Sequence, residues 1–424
     1  MAVDTPAKIA IIGAGPVGLE AAVYARYLGY DVDLYERGRA VESLRQTAHV
    51  RGFEPWSDIT TPLGRASLSN QDPQWRPAAD NAVLTYGELV ERYFAPLAQC
   101  DLLADCLQER TTVEAIGREA VLRTEFLQDD RRIDVPFRLI VRDAEGARRV
   151  EYADVVFDCS GLALAGNIGS GGLPALGEAE ARKQIDSAPV DLLGARKADF
   201  VGKRTLVVGD GYEAAQTIVD LARLAAENSQ TRITWVTRGA PDDTAPGPIA
   251  KFADDPLAER VALARRANEL AAQSGGVLDF WPATHVEALE YRDDAQQFQV
   301  ELTGRHAGHE TFDRVVEAVG RRPNDSLGSE MQLLVCPATE APLPMADFLR
   351  RQAAEPATDV AAVRRALAQA LLNPEPDFYV LGAKSYGRRG DFLLSHGHEQ
   401  IVALFTVIGD REGLDLYASR FAVS

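Results

Sequence analysis

An apolar run that breaks into a glycine turn constrains this chain more than any other feature. Ile9-Ala10-Ile11-Ile12 carries no polar side chain, so it reads as a strand buried on both faces. Gly13-Ala14-Gly15-Pro16-Val17-Gly18 follows at once. Gly13 permits the sharp turn, Gly15 leaves the backbone open to a pyrophosphate, and Gly18 lets the next helix pack close to the strand. That helix is expected from about Val17 to Leu28, with Leu19, Ala22, Val23 and Ala25 on its buried face. Its first N–H groups lack partners within the helix and suit an anionic phosphate. A second strand, Asp31 to Tyr35, ends at Glu36, where a carboxylate can accept hydrogen bonds from a ribose 2′-hydroxyl. The motif, from Lys8 to Arg37, therefore predicts a βαβ unit that grips an adenine dinucleotide. Glu36 argues against a 2′-phosphate, which leaves FAD or NAD rather than NADP.

A second unit of the same kind begins at Arg204. Thr205 to Val208 reads as a strand, and Gly209-Asp210-Gly211-Tyr212-Glu213-Ala214 is GxGxxA, a variant that nucleotide folds accept. The helix is expected to continue through Ile218 and Leu221 to Leu224, and the next strand, Arg232 to Val236, ends in Thr237-Arg238. A basic residue where the first unit has Glu36 suits the 2′-phosphate of NADPH. Arg238 could equally be a solvated loop residue. Glu213 suits the helix dipole but would repel a pyrophosphate it faced, so this site is less secure than the first.

A chain of 424 residues is long for one core and suggests two or three domains. The net charge of −18 argues against nucleic acid and anionic membrane as partners. The first apolar run is short, lacks a basic flank and is consumed by the glycine turn, so no signal peptide is expected. No stretch is long enough to span a bilayer. Cys100, Cys106, Cys159 and Cys336 form no CxxC pair, which suggests neither a dithiol centre nor a zinc site, and implies reduced thiols in a cytoplasmic protein. No metal is expected; His396 and His398 are near neighbours without a third ligand in view.

Between and after the two motifs the chain alternates strands, helices and loops. Residues 38 to 85 read as irregular and hold Arg45, His49, Arg51, Trp56 and Trp75. His49 or Trp56 could touch a cofactor ring, or the tryptophan could plug a satellite core. A helix is expected from Tyr86 to Ala98 with Thr85 as its cap, and a strand from Arg110 to Ile116. A hairpin turns at Glu145-Gly146, and a buried strand Val155-Val156-Phe157 ends in Asp158-Cys159-Ser160-Gly161. Residues 162 to 200 read as a linker, with five glycines in Gly166 to Glu178. Further on, helices are expected over Pro256 to Ala272, 353 to 372 and Asp391 to Ile408. Strands are expected over Val277 to Trp281, Phe298 to Leu302, Arg314 to Val319 and Phe378 to Leu381.

With two nucleotide motifs, nearly the whole chain resembles the flavoproteins with two dinucleotide-binding domains, a group that includes flavin-containing monooxygenases, thioredoxin reductases and amine N-hydroxylases. GAGPVG with Glu36 matches the group's FAD site, VVFDCSG its strand returning to the flavin, and GDGYEA with Arg238 its NADPH site. EAVGRRPN resembles its hinge, FYVLGAKSYG stands at its final flavin strand, and GRRGDFLLS resembles the C-terminal flavin-contacting segment of ornithine and lysine N-hydroxylases. The chain departs from the group in three ways. It has no CxxC, which puts disulfide reductase activity out; no FxGxxxHxxx(W/F) precedes the second motif; and Gly382-Ala383 replaces the usual GD.

The resemblance implies an α/β fold of two Rossmann-like domains. The NAD(P)H-binding domain, 164–324, would be inserted into a discontinuous FAD-binding domain, 1–163 plus 325–424. It implies FAD contacts from Gly13, Gly15, Pro16, Val17, Gly18, Glu36, Arg37, Arg45, Val113, Cys159, Ser160, Gly161, Gly382 and Asp391. It implies NADPH (or NADH) contacts from Gly209, Gly211, Tyr212, Ala214 and Arg238. Lys384, Ser385, Arg388 and His49 are the candidates for polar contacts to ring or substrate. The activity implied is an FAD-dependent NAD(P)H monooxygenase of a small molecule, such as an amine N-hydroxylase, acting through a flavin C4a-hydroperoxide. The alternatives are an FAD dehydrogenase or reductase without oxygen insertion, and a non-catalytic flavin-binding protein with a degenerate second site. The expected partner is a small-molecule substrate; a homodimer is compatible with the sequence.

Overall fold

A computed structural model of the chain describes residues 5–127, 129–241, 247–250, 255–355, 359–411 and 413–418. Two units divide it: residues 1–48, 54–164 and 322–424 form the first, and residues 49–53 and 165–321 the second. The first opens with β1 (Lys8–Ile12), whose last four residues are all buried. The glycine turn leads into α1 (Pro16–Tyr27), and β2 (Asp31–Tyr35) lies parallel to β1 with Tyr35 opposite Ile12. Residues 38–85 are more helical than their composition suggests, with α2 (Glu42–Gln46), α3 (Trp56–Ile59) and α4 (Pro62–Gln71). Thr61 caps α4, accepting from the Gly64 N–H, and Pro62 takes its first position. That start signal lay hidden among prolines and glycines that read as loop.

The helix expected from Tyr86 to Ala98 forms as α5 (Tyr86–Leu89), a π turn over Val90–Phe94, and α6 (Ala95–Ala98). Thr85 and Glu88 close a capping box at its start. The π turn falls just before Pro96, which has no N–H to give to the preceding turn. The chain continues through β3 (Leu107–Gln108), β4 (Thr112–Arg118), β5 (Phe137–Arg142), β6 (Arg148–Ala153), β7 (Val155–Asp158) and β8 (Leu164–Ala165). Strands β4, β5 and β6 make an antiparallel sheet, and Gly146 turns the hairpin at φ +86°.

The second unit's sheet is parallel, in the order β12-β11-β10-β16-β9. Its elements are β9 (Asp186–Ser187), α7 (Lys197–Phe200), β10 (Arg204–Val208), α8 (Tyr212–Glu227), β11 (Arg232–Thr237), α9 (Ala258–Ala272), β12 (Leu278–Pro282) and β16 (Arg314–Glu317). Between the last two lies an antiparallel meander of β13 (Thr284–Arg292), β14 (Gln297–Gly304) and β15 (Gly308–Phe312). Strands β13 and β15 escaped the sequence reading because their half-exposed faces are built of polar residues. The stretch read as a linker gives this unit its edge strand β9, and Ala188, Leu192 and Phe200 are buried in its core.

After β17 (Arg321–Arg322) the chain returns to the first unit with α10 (Leu343–Ala354), α11 (Val360–Ala370), β18 (Phe378–Val380) and α12 (Leu394–Ile408). The single helix expected over 353–372 is thus the end of α10 and all of α11; residues 356–358 between them lie outside the described residues. Strand β18 completes a parallel sheet in the order β18-β7-β1-β2-β3. Each unit therefore carries a strand–glycine turn–helix motif on a parallel sheet, the Rossmann-like α/β arrangement.

Helix α1 is buried from Val17 to Ala25 because α12 and α4 pack on the faces that the sheet leaves open. Tyr24 stacks on Phe405 of α12 with ring centroids 4.8 Å apart. Two glutamates are sealed in the core of this unit. Glu20 of α1 accepts from the Tyr93 hydroxyl and, at 2.8 Å, from Thr61 Oγ1. Glu375 takes the guanidiniums of Arg118 and Arg132, each at 2.8 Å.

Candidate functional site

A groove of about 810 Å³ runs along the first unit. It lies at the carboxyl ends of parallel strands, where open α/β sheets hold ligands. Gly13 and Gly15 line it after β1, Glu36 and Arg37 after β2, Cys159, Ser160 and Gly161 after β7, and Gly382 after β18. Pro16 and Val17, from the first turn of α1, line it as well.

The three glycines do three different things. Gly13 has φ +99°, and a Cβ there would meet the Cys159 carbonyl oxygen at 2.7 Å. A Cβ on Gly18 would fall 1.9 Å from the Gly13 carbonyl oxygen, so the helix can sit this close to the turn only with glycine there. A Cβ on Gly15 would meet nothing within 4 Å. Gly15 is also the cap residue of α1, with no side chain on the orphan N–H groups and no acid in the first turn. The geometry and charge fit an anionic group such as a pyrophosphate.

Glu36 marks one end of the groove. Its carboxylate accepts from Ala14 N at 3.0 Å and Gly38 N at 2.7 Å, which fixes it at the tip of β2. Each carboxylate oxygen has a further lone pair for a ribose hydroxyl. Val17, Gly382, Ala383, Phe392 and Leu394 wall the other part of the groove with apolar surface, suited to a flat ring system.

Beneath the wall lies a buried ion pair. Lys384 Nζ sits 2.6 Å from Asp158 Oδ2 and donates to the Asn324 carbonyl at 2.7 Å, while Ser160 donates to Asp158 Oδ1 at 2.6 Å. These bonds tie the loop after β7 to the turn after β18. Burial pushes the Cys159 thiol well up, and the Asp158 charge adds to this against the opposing effect of Lys384. A thiol held protonated is a poor nucleophile.

Several residues expected at the site lie elsewhere. Lys384 and Ser385 do not line the groove: both are buried in the 3₁₀ turn Gly382–Tyr386, which Gly382 opens at φ +71°. Ser385 donates to the Gly382 carbonyl and accepts from Gln400, each at 2.7 Å. Arg388 stands near Glu340, 3.9 Å away, and Asp391 is held by Arg389. Arg45 donates to the Ala40 carbonyl at 3.0 Å. Val113 is buried in the core cluster of the β4-β5-β6 sheet. His49 belongs to the second unit, near Asp220. Trp56 is a core plug, fully buried against Trp75 and Tyr93. Arg110 lines the groove without having been expected there, while Phe392 and Leu394 line it from within the GRRGDFLLS segment. For Arg110 a signal existed: it follows β3, one more carboxyl end in the same sheet.

The second unit repeats the cradle with different charges. Gly209 has φ +142°, and a Cβ there would fall 2.0 Å from the Ala318 carbonyl oxygen; Gly211 is open and caps α8 without a side chain. Trp235 Nε1 donates to the Gly209 carbonyl at 2.8 Å and braces the turn. Ala214 is fully buried beneath it, and the Tyr212 hydroxyl donates to the Ala250 carbonyl at 3.1 Å. Arg238 is 84% exposed, but its Nε lies 3.1 Å from Asp210 Oδ2 in the glycine turn itself. Glu213 is half-buried in the first turn of α8; burial pushes its carboxyl up, and Arg321 partly offsets this. A dinucleotide fits the backbone here, while two carboxylates weaken the site's attraction for its phosphates.

No helix among the described residues is long and apolar enough to cross a membrane. No family model matches the chain. A stretch of 33 residues is 61% identical to the NAD-dependent dihydropyrimidine dehydrogenase subunit PreT of Salmonella typhimurium, but it spans only 8% of this chain and 8% of that protein. Solved structures match across nearly the full length. The bacillithiol disulfide reductase Bdr of Bacillus cereus has a TM-score of 0.64 at 14% identity, over 96% of this chain and 99% of that one. Thioredoxin reductase of Lactococcus lactis and ornithine hydroxylase PvdA of Pseudomonas aeruginosa each have a TM-score of 0.56 at 13% identity, over 95% of this chain and 99% of theirs. The fold is that of the two-dinucleotide-binding-domain flavoproteins. At such identities this likeness speaks of architecture, and chemistry has to be argued from the site.

Proposed function

We propose that the chain is an FAD-dependent NAD(P)H oxidoreductase, with FAD in the groove of the first unit and the nicotinamide dinucleotide on the second. The observation that carries this reading is the open cradle at Gly15, beside a helix end with no cap and no acid. Gly13 and Gly15 would admit the pyrophosphate, Glu36 would take the ribose, and Val17, Phe392 and Leu394 would shield the ring from water. Bound there, the two groups supply hydride transfer from nicotinamide to flavin, which asks no acid or base of the protein.

Oxygen insertion into a small molecule, as in amine N-hydroxylation, is the finer proposal. Two features support it over disulfide reduction. The four cysteines are unpaired, and the one at the groove, Cys159, is held protonated by burial. The ornithine hydroxylase shares the fold as fully as the thioredoxin reductase does. An oxygen-free reductase is the second reading, favoured by the absence of FxGxxxHxxx(W/F) before the second motif. A non-catalytic flavin binder is the third, favoured by Asp210 and Glu213.

The test is the absorption spectrum of the purified protein, followed by anaerobic titration with NADPH and then NADH. A flavin spectrum bleached by either nucleotide is expected; a colourless protein that takes up no FAD refutes the reading. A flavin that neither nucleotide bleaches selects the non-catalytic alternative. Hydroxylated product in step with NAD(P)H consumed then separates oxygenase from reductase.

A further inference from the structure

Glu54 is a buried carboxylate, 7% exposed, just before α3. It reaches across to the first turn of α12. Leu394 N donates to Glu54 Oε2 at 2.8 Å, and Ser395 N and Ser395 Oγ donate to Oε1 at 3.1 and 2.7 Å. Among the described residues no lysine, arginine or histidine forms an ion pair with it. Its counter-charge is therefore the helix end itself.

Leu394 connects Glu54 to the groove: its N–H holds Glu54, and it lines the groove together with Phe392. A bare N-terminus on a helix of this length presents roughly half a positive charge to whatever lies before it. A full negative charge on its first N–H groups reverses that sign. The nearby Arg389 does not restore it, since Asp391 takes up that guanidinium. Glu36 marks the ribose end of the groove, so the redox ring falls toward Gly382, Phe392 and Leu394.

We infer that Glu54 is a positioning residue that sets the electronic character of the bound ring. Its charge, delivered through the first turn of α12, disfavours negative charge on the ring and so makes the reduced ring a readier electron donor. This inference rests on the proposed flavin site and concerns how that site is tuned.

Two measurements on the flavin-loaded protein test it: the midpoint potential, and the affinity for sulfite. Sulfite forms an N–S bond to the oxidised ring and leaves a negative charge on it, so it reports the local field. Wild type is expected to bind sulfite only at millimolar concentration; a micromolar adduct overturns the inference without any variant. Glu54→Gln keeps the shape and removes the charge. It should raise the potential and tighten sulfite binding ~10-fold or more, as expected for removing a unit charge that acts through one helix turn in a partly polar medium. Ser395→Ala removes a bond to Glu54 but keeps the charge, and should leave both readouts at wild-type values. If Glu54→Gln moves neither readout, or Ser395→Ala moves them as far, the inference is wrong while the flavin site stands. A wild-type protein that takes up no flavin overturns the parent reading, and this one with it.

Discussion

Replacing the buried Glu20 by glutamine should stabilise the first unit at alkaline pH and matter little in mild acid. Burial pushes the Glu20 carboxyl up from 4.5 to about 7, against hydrogen bonds from Tyr93 and Thr61 that favour the carboxylate. The folded chain thus holds a proton that the unfolded chain has released. The stability that this proton contributes is fully present below 4.5 and is lost as pH rises through about 7. At 1.36 kcal/mol per tenfold change in proton activity, the loss between pH 5 and 8 is about 2.5 kcal/mol. Glutamine fills the same space, still accepts from one hydroxyl and does not titrate.

Urea unfolding at a series of pH values checks this, followed by intrinsic fluorescence. Trp56, whose ring lies 5.6 Å from that of Tyr93, reports this part of the molecule. The variant should gain on wild type by about 2.5 kcal/mol from pH 5 to pH 8. A gap that is the same at both pH values would refute the argument. It would mean that Glu20 is ionised in the folded chain throughout.

Four further expectations follow from the geometry. Gly15→Ala should cost under about 1 kcal/mol of stability, as cap substitutions do, because its Cβ meets nothing. It should still cut flavin uptake more than ~10-fold by filling the approach to the phosphates; flavin content per folded protein decides. Gly18→Ala, whose Cβ would lie 1.9 Å from the Gly13 carbonyl oxygen, should instead fail to fold, seen as lost soluble yield. Glu375→Ala strands two buried guanidiniums and should cost about 3–5 kcal/mol in thermal or urea unfolding; a loss below 1 kcal/mol speaks against the buried cluster. Asp210→Asn frees Arg238 and should favour NADPH over NADH by about 2–5-fold, the modest scale of an exposed pair; an unchanged ratio of dissociation constants counts against a role for Arg238.

Local signals made much of this chain legible in one dimension. The run Ile9 to Ile12, the three glycines and Glu36 lie within thirty residues of one another, and the same short-range sterics that make them recognisable also build the cradle. The same holds for Gly209, Gly211 and α8. What stayed hidden depended on contacts distant in sequence. Lys384 and Ser385 looked available beside a groove strand, but a turn opened by Gly382 rotates them into the core, where Asp158 and Gln400 wait. Arg238 looked free until the fold set Asp210 beside it. Glu54 sat unremarked in a loop, because its partners in α12 are 340 residues away. A backbone turn is a property of a few neighbouring residues and can be read from them. The charge that a side chain finally faces is decided by whichever distant segment the core brings against it, and only the folded chain supplies that.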